Sequence, residues 1–267
     1  MAVLLDLDAE VLQSHLSDVT AWLQSQAAAL LPRCILDLGS GTGAGTFALL
    51  QRFEDAGVIA VDMSAYLLDR LRGKARVLGV DGRVRTVQAD LDTEWPDIGP
   101  VDLVWASSSL HHLADPDRVL TQVFGTLRPG GLLAVLEMDS FPRFLPEDPG
   151  VGQPGLEARC HAALDEQRAA ELPYLGSDWG PRLSRAGFTT EAERTFAVHL
   201  MSPPPPATGR YAQASLRRIR EGLGGRLSAG DLATLDTLID SDGPAGVRQR
   251  DDLAVRTTRS GWLARRP

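Results

Sequence analysis

The chain has 267 residues, 43% of them hydrophobic and 23% charged, with a formal net charge of −8. That is ample length for a buried core, and the composition is neither that of a disordered nor of a fibrous chain. The acidic balance argues against a broad nucleic-acid footprint, which needs a basic face, and no apolar run approaches the ~20 residues of a membrane span. The opening stretch Met1 to Asp8 lacks a basic start and soon turns acidic, unlike a secretory leader. Cys34 and Cys160 have no metal-ligand spacing and read as reduced thiols of a cytoplasmic protein. The five histidines are scattered apart from His111-His112, so no metal is expected.

Residues 9 to 31 predict an amphipathic helix, with Leu12, Leu16, Val19, Leu23 and Leu30 near one face and Asp8 as N-cap. It could fold over a pocket or only pack on a sheet. From residue 33 strand and helix alternate. The strands are Cys34 to Leu38, Val58 to Val61, Val84 to Ala89, Val101 to Ala106 and Leu132 to Glu137. The helices between them are Ala44 to Phe53, Ala65 to Leu78 and Asp117 to Leu127, with a Pro129-Gly130-Gly131 turn before the fifth strand. Alternation of this kind predicts an α/β fold with a mostly parallel sheet and helices on both faces. Short apolar runs fit strands buried on both sides. After a Pro/Gly-rich loop come helices over Leu156 to Glu171 and Trp179 to Ala186, then a strand over Phe188 to Leu200. Pro203 to Pro206 is a stiff linker, followed by helices over Tyr211 to Leu223 and Ser228 to Ile239 and a last strand over Val255 to Ala264. The organisation is an N-terminal helix (1–32), a core (33–138), an insertion (139–187), a strand (188–202), a helical lid insertion (203–250) and the final strand (251–267), with both insertions able to roof a site.

Asp37, Asp62, Asp90 and Ser107 stand at the C-terminal ends of four successive strands, where ligands bind in an open parallel sheet. The Gly39-Ser40-Gly41-Thr42-Gly43 turn allows close backbone approach at a helix N-terminus. Asp62 can accept from both hydroxyls of a ribose, or cap the helix after Ser64. Asp90 can accept from an adenine amine, with the Leu91 N–H beside it; Asp92 competes, and a plain turn acid is the alternative. The turn also satisfies a degenerate dinucleotide fingerprint, which keeps an NAD(P)-dependent oxidoreductase open. Asp37 disfavours that reading, because an acid before the glycines repels a pyrophosphate and welcomes a cation.

Taken in order, Asp37-Leu38-Gly39-Ser40-Gly41-Thr42-Gly43, Val61-Asp62, Ala89-Asp90, Ser108-Ser109-Leu110-His111-His112-Leu113 and Leu127-Arg128-Pro129-Gly130-Gly131 resemble the motifs of class I S-adenosylmethionine-dependent methyltransferases. The small-molecule branch, with its ubiquinone/menaquinone-type and trans-aconitate-type members, is the nearest in look. The resemblance covers residues 33 to 138 well and the rest in outline. It implies a Rossmann-like seven-stranded sheet of order 3-2-1-4-5-7-6 with an antiparallel seventh strand. It further implies that Asp37, Gly39, Ser40, Gly41 and Gly43 hold the methionine part of S-adenosyl-L-methionine. Asp62 would bind the ribose with Met63 beside the adenine, Asp90 and Leu91 would read the adenine, and Ser107 would approach the amino group.

A sulfonium methyl needs no metal, only an oriented acceptor and, for some acceptors, a base. His111 or His112 is a candidate base, or a structural pair bonded to backbone. Glu137 and Asp139 are candidates to face a small-molecule acceptor, and Arg143, Phe144, Arg159, His161, Tyr174, Trp179, Arg210, Tyr211, Arg217 and Arg218 are candidate lid contacts. A non-catalytic cofactor-binding protein remains the alternative from another class. The acceptor, its reacting atom and the oligomeric state are not legible.

Overall fold

A computed structural model describes residues 1–27, 30–201 and 203–267. Among these, seven strands form one sheet in the order β3-β2-β1-β4-β5-β7-β6. They are β1 (Cys34–Leu38), β2 (Gly57–Asp62), β3 (Val84–Gln88), β4 (Val101–Ser107), β5 (Leu127–Met138), β6 (Thr189–Leu200) and β7 (Val255–Arg265). The first five run parallel, and β7 lies antiparallel between β5 and β6. This is the expected order and the expected reversal. The Pro129-Gly130-Gly131 turn lies within β5, where the register against β4 shifts between Val101 and Leu103.

Successive residues of the central strands feed opposite cores. Leu36, Val104, Ala106, Leu133 and Val135 meet Val119, Leu120 and Val123 of α5 (Pro116–Thr126) and Leu183 of α7 (Gly180–Arg185). Ile35, Leu103, Trp105, Leu132 and Ala134 meet α2 (Gln13–Gln26) and α3 (Ala44–Arg52) on the other face. The remaining core-flanking helix, α4 (Ala65–Val77), packs beside β2 and β3. A third apolar core unites α1 (Ala2–Val11), α6 (Leu156–Glu171), α8 (Thr208–Gly222) and α9 (Ala229–Asp240). Its logic is helical spacing, as in Leu156, Cys160 and Leu164 of α6, all buried.

The single helix expected over 9–31 is instead two helices broken at Leu12. The break has a packing cause: Leu7, Val11 and Leu12 belong to the third core, whereas Val19 and Leu23 belong to the sheet core. Asp8 lies inside α1 and caps nothing. Part of the expected segment, residues 28 and 29, lies outside the described residues, as does residue 202 of the expected 188–202 strand segment.

Candidate active site

Asp37 lies on the α2/α3 side of β1, near its C-terminal end, 2% exposed. Its Oδ2 accepts from Thr46 Oγ1 at 2.6 Å. Burial pushes its pKa up to about 7, against the Thr46 bond. Among the described residues no lysine or arginine pairs with it. It is a buried carboxyl poised to ionise when a cation arrives.

The chain then turns across the end of β2, where the Gly39 and Ser40 N–H groups donate to Val61 O at 2.9 and 3.0 Å. Gly39 has φ +68°, and a Cβ there would lie 2.5 Å from Ser109 Cβ. Only glycine lets the turn touch the loop after β4. Gly43, at φ +93°, precedes α3, and a Cβ would strike Phe47 and Leu71. It does not line the cavity, so the structure gives it the helix start and not the ligand-facing turn.

Asp62, 9% exposed, accepts the Gly41 N–H on Oδ2 at 2.8 Å and the Ser64 N–H on Oδ1 at 2.9 Å. The cap of α4 is Ser64, whose Oγ accepts from the Leu67 N–H. Two of about four acceptor sites on the Asp62 carboxylate are thus used locally. Asp90 Oδ1 accepts the Asp92 N–H at 3.0 Å, and Asp92 Oδ1 in turn accepts the Ala114 N–H at 2.9 Å. Met63 is 66% exposed at the mouth.

Beyond β4, Ser108 has φ +52°, the only left-handed non-glycine among the described residues. Such a conformation persists where the surroundings enforce it. Here Glu137 does so: its Oε1 accepts the Ser109 and Leu110 N–H groups at 3.1 and 2.8 Å, and its Oε2 lies 2.5 Å from His111 Nδ1. Glu137 therefore clamps the loop and does not face an acceptor. His111 is 1% exposed and absent from the cavity wall, and its ring nitrogen is tied to Glu137. His112 does line the cavity; burial and the neighbouring His111 lower its pKa to about 4.

The cavity measures about 600 Å³, within the range of small-molecule sites. Asp37, Gly39, Ser40, Gly41, Asp62, Met63, Asp90, Leu91 and Ser107 all line it. Its roof comes from the N-terminal segment, one of the two placements open to the helix expected over 9–31, and not from the insertions. Met1, Leu5, Ala9 and Leu12 of the N-terminal segment, with His15 and Leu16, cover it, and Arg259 enters from β7. None of the proposed lid contacts from the two insertions lines it. Phe144 and Trp179 are fully buried core, Arg159 pairs with Asp231, and the Tyr211 hydroxyl donates to Asp8 Oδ1 at 2.6 Å. Asp139 accepts from Ser260 Oγ at 3.1 Å and also lies off the cavity. Thr46, Trp105, His15 and Arg259 escaped the sequence reading. Only Thr46 had a signal, as a hydroxyl in the first turn of the helix after the glycines.

A family model described as a methyltransferase domain matches residues 35–131. The chain is 38% identical over 109 residues to a trans-aconitate 2-methyltransferase of Methylobacterium radiotolerans, which spans 41% of this chain and 39% of that relative's length. It is 34% identical over 201 residues to the 27-O-demethylrifamycin SV methyltransferase of Amycolatopsis mediterranei, covering 73% of this chain and 70% of the relative. In fold it is similar to the crystal structure of BH2331 from Bacillus halodurans, with a TM-score of 0.59 at 20% identity over 94% of this chain and 99% of the other. The oxidoreductase alternative finds no support in these matches. With the sheet order, the reversed seventh strand and the strand-end acids, they lead to one conclusion: the chain belongs to the class I S-adenosylmethionine-dependent methyltransferases.

Proposed function

We propose that the protein transfers a methyl group from S-adenosylmethionine to a small-molecule acceptor held under α1 and α2. The observation that carries this reading is one cavity uniting the buried, cation-free Asp37 with Asp62 and Asp90 below and an apolar roof above. Bound S-adenosylmethionine supplies a methyl already activated by its sulfonium. Asp37, with the Gly39 to Gly41 backbone and Ser107, holds the cationic methionine end. Asp62 offers its remaining lone pairs to the ribose hydroxyls. Met63 and Leu91 flank the adenine, and Asp90 accepts from its amine. The roof excludes water and orients the acceptor, which accounts for a large share of such a rate. His112, one of two histidines on the cavity wall with His15, is uncharged at neutral pH and suited to accepting a hydrogen bond.

The acidic chain, its two free cysteines and the lack of any described helix long and apolar enough to cross a membrane fit a cytoplasmic enzyme without nucleic-acid partners. Calorimetry with S-adenosylhomocysteine and NADH, followed by labelled-methyl transfer into metabolite pools, tests the reading. Tight S-adenosylhomocysteine binding and label in a small product are expected. NADH binding in its place would sink the reading, and cofactor binding without transfer to any pool would favour a sensor.

A further inference from the structure

Past the strand-end acids the cavity runs under α1 and α2 between apolar walls of Leu5, Ala9, Leu12 and Leu16. Three polar side chains interrupt that wall, Arg259 of β7, its partner Asp8 of α1, and His15 of α2. Arg259 is 8% exposed. Its Nη2 donates to both oxygens of Asp8, at 2.8 and 3.1 Å, and the Tyr211 hydroxyl donates to the same carboxylate. The ion pair fixes the guanidinium through one nitrogen, and the Arg259 Nε–H is buried with no partner among the described residues. Burial works against the Arg259 charge, but Asp8, Tyr211 and Glu137 together outweigh it and raise its pKa above the ordinary value.

His15 is also buried, its ring edge-on to Phe196 with centroids 5.7 Å apart, and its Nε2 has no partner among the described residues. The charged groups facing it are Arg259 from β7, Asp8 from α1 and Asp18 from its own helix. Burial first, then Arg259, lowers its pKa to about 4, so the ring is neutral at physiological pH. A buried guanidinium with an unused donor, beside a neutral imidazole with an unused nitrogen, is costly to maintain without a partner.

We propose that Arg259 and His15 form the subsite for the acceptor's reacting oxygen, and that the acceptor is a largely apolar molecule carrying an acidic hydroxyl, a phenol or an enol. This rests on the methyltransferase reading above. His15 accepts the hydrogen bond of the protonated hydroxyl. Arg259 stabilises the oxyanion left when the proton departs to solvent. The apolar wall takes the remaining surface of the molecule and is a poor host for a second charge.

The probe is 4-nitrophenol, whose visible phenolate band reports its own ionisation, added to protein saturated with S-adenosylhomocysteine. Nitrobenzene and 4-nitrobenzoate serve as controls. The expected result is that bound 4-nitrophenol ionises at least about one pH unit lower than in solution, and binds about tenfold tighter than nitrobenzene. In the charge-neutral double variant Asp8→Asn/Arg259→Gln both effects are expected to vanish while S-adenosylhomocysteine still binds. The wild-type comparison stands even if that variant fails to fold, and His15→Leu supplies a second, milder perturbation expected to weaken 4-nitrophenol binding. No binding of 4-nitrophenol, or binding no tighter than nitrobenzene, overturns the subsite. Tighter, Arg259-dependent binding of 4-nitrobenzoate would assign a carboxylate acceptor and overturn the hydroxyl class. Failure of wild-type protein to bind S-adenosylhomocysteine is a separate result and counts against the methyltransferase reading itself.

Discussion

Asp62 carries two loads, and they can be separated. It accepts the Gly41 and Ser64 N–H groups, which shapes the turn, and it retains lone pairs toward the cavity. Asp62→Ala is expected to raise the dissociation constant for S-adenosylhomocysteine about ten- to a hundredfold, the worth of hydrogen bonds to a charged acceptor. Circular dichroism should show a folded protein with a lowered Tm, because two N–H groups lose their acceptor. Unchanged affinity in the folded variant would remove the ribose assignment. Gly39→Ala tests the turn from the other side. Its Cβ would overlap Ser109 in a backbone conformation that L side chains rarely adopt, so a loss of about 1–3 kcal/mol is expected. That corresponds to a fall of several degrees in Tm for a chain of this size.

At the scale of elements, α1 is the roof, and ion pairs hold it down. Asp6 binds Arg70 at 2.5 Å and Lys74 at 2.6 Å on α4, and Asp8 binds Arg259 on β7. A further pair joins Glu10 to Arg210 on α8. The Asp6 pairs are partly open to water, so each is modest in strength and screened by salt. We propose that the cofactor exchanges past this roof. Asp6→Asn is therefore expected to speed S-adenosylhomocysteine release about two- to fivefold at low salt. Added salt should speed release from the wild type and leave the variant nearly flat, which stopped-flow fluorescence can follow. Equal salt dependence in both proteins would show that the Asp6 ties do not gate exchange.

Across the whole molecule, buried titratable groups pull stability in opposite directions. Asp37 and Glu157 have folded pKa values raised to about 7 by burial. Their contribution is full below their unfolded values near 4 and falls as pH rises to about 7. His15, His112 and His161 are lowered to about 4, chiefly by burial. Their contribution is full above about 6.5 and is lost as pH falls toward 4. The two sets oppose each other, so the free protein is expected to change stability only shallowly between those limits. An ammonium bound beside Asp37 holds that carboxyl ionised and removes its part of the compensation. The Tm gain on adding S-adenosylhomocysteine is therefore expected to be larger at about pH 7.5 than at about pH 5.5. An equal gain at both would mean that Asp37 does not meet the ammonium.

By itself the sequence determined the alternating strands and helices and the acids at the strand ends, while the order of the strands followed from the resemblance to class I methyltransferases. These depend on local signals: apolar runs set strand burial, glycine supplies backbone conformations other residues avoid, and an acid at a strand's end must face the crevice beyond it. Asp37, Asp62 and Asp90 were singled out for that reason, and all three line one cavity. Gly43 and His111 lie off that cavity, because spacing cannot tell a residue that lines it from its neighbour facing the core. The roof was decided only by tertiary structure. Asp8, His15 and Arg259 lie on three elements, the paired Asp8 and Arg259 are 251 positions apart, and no periodicity links them. Their meeting depends on α1 breaking from α2 at Leu12 and on β7 running backward beside β5, which are consequences of packing three cores together.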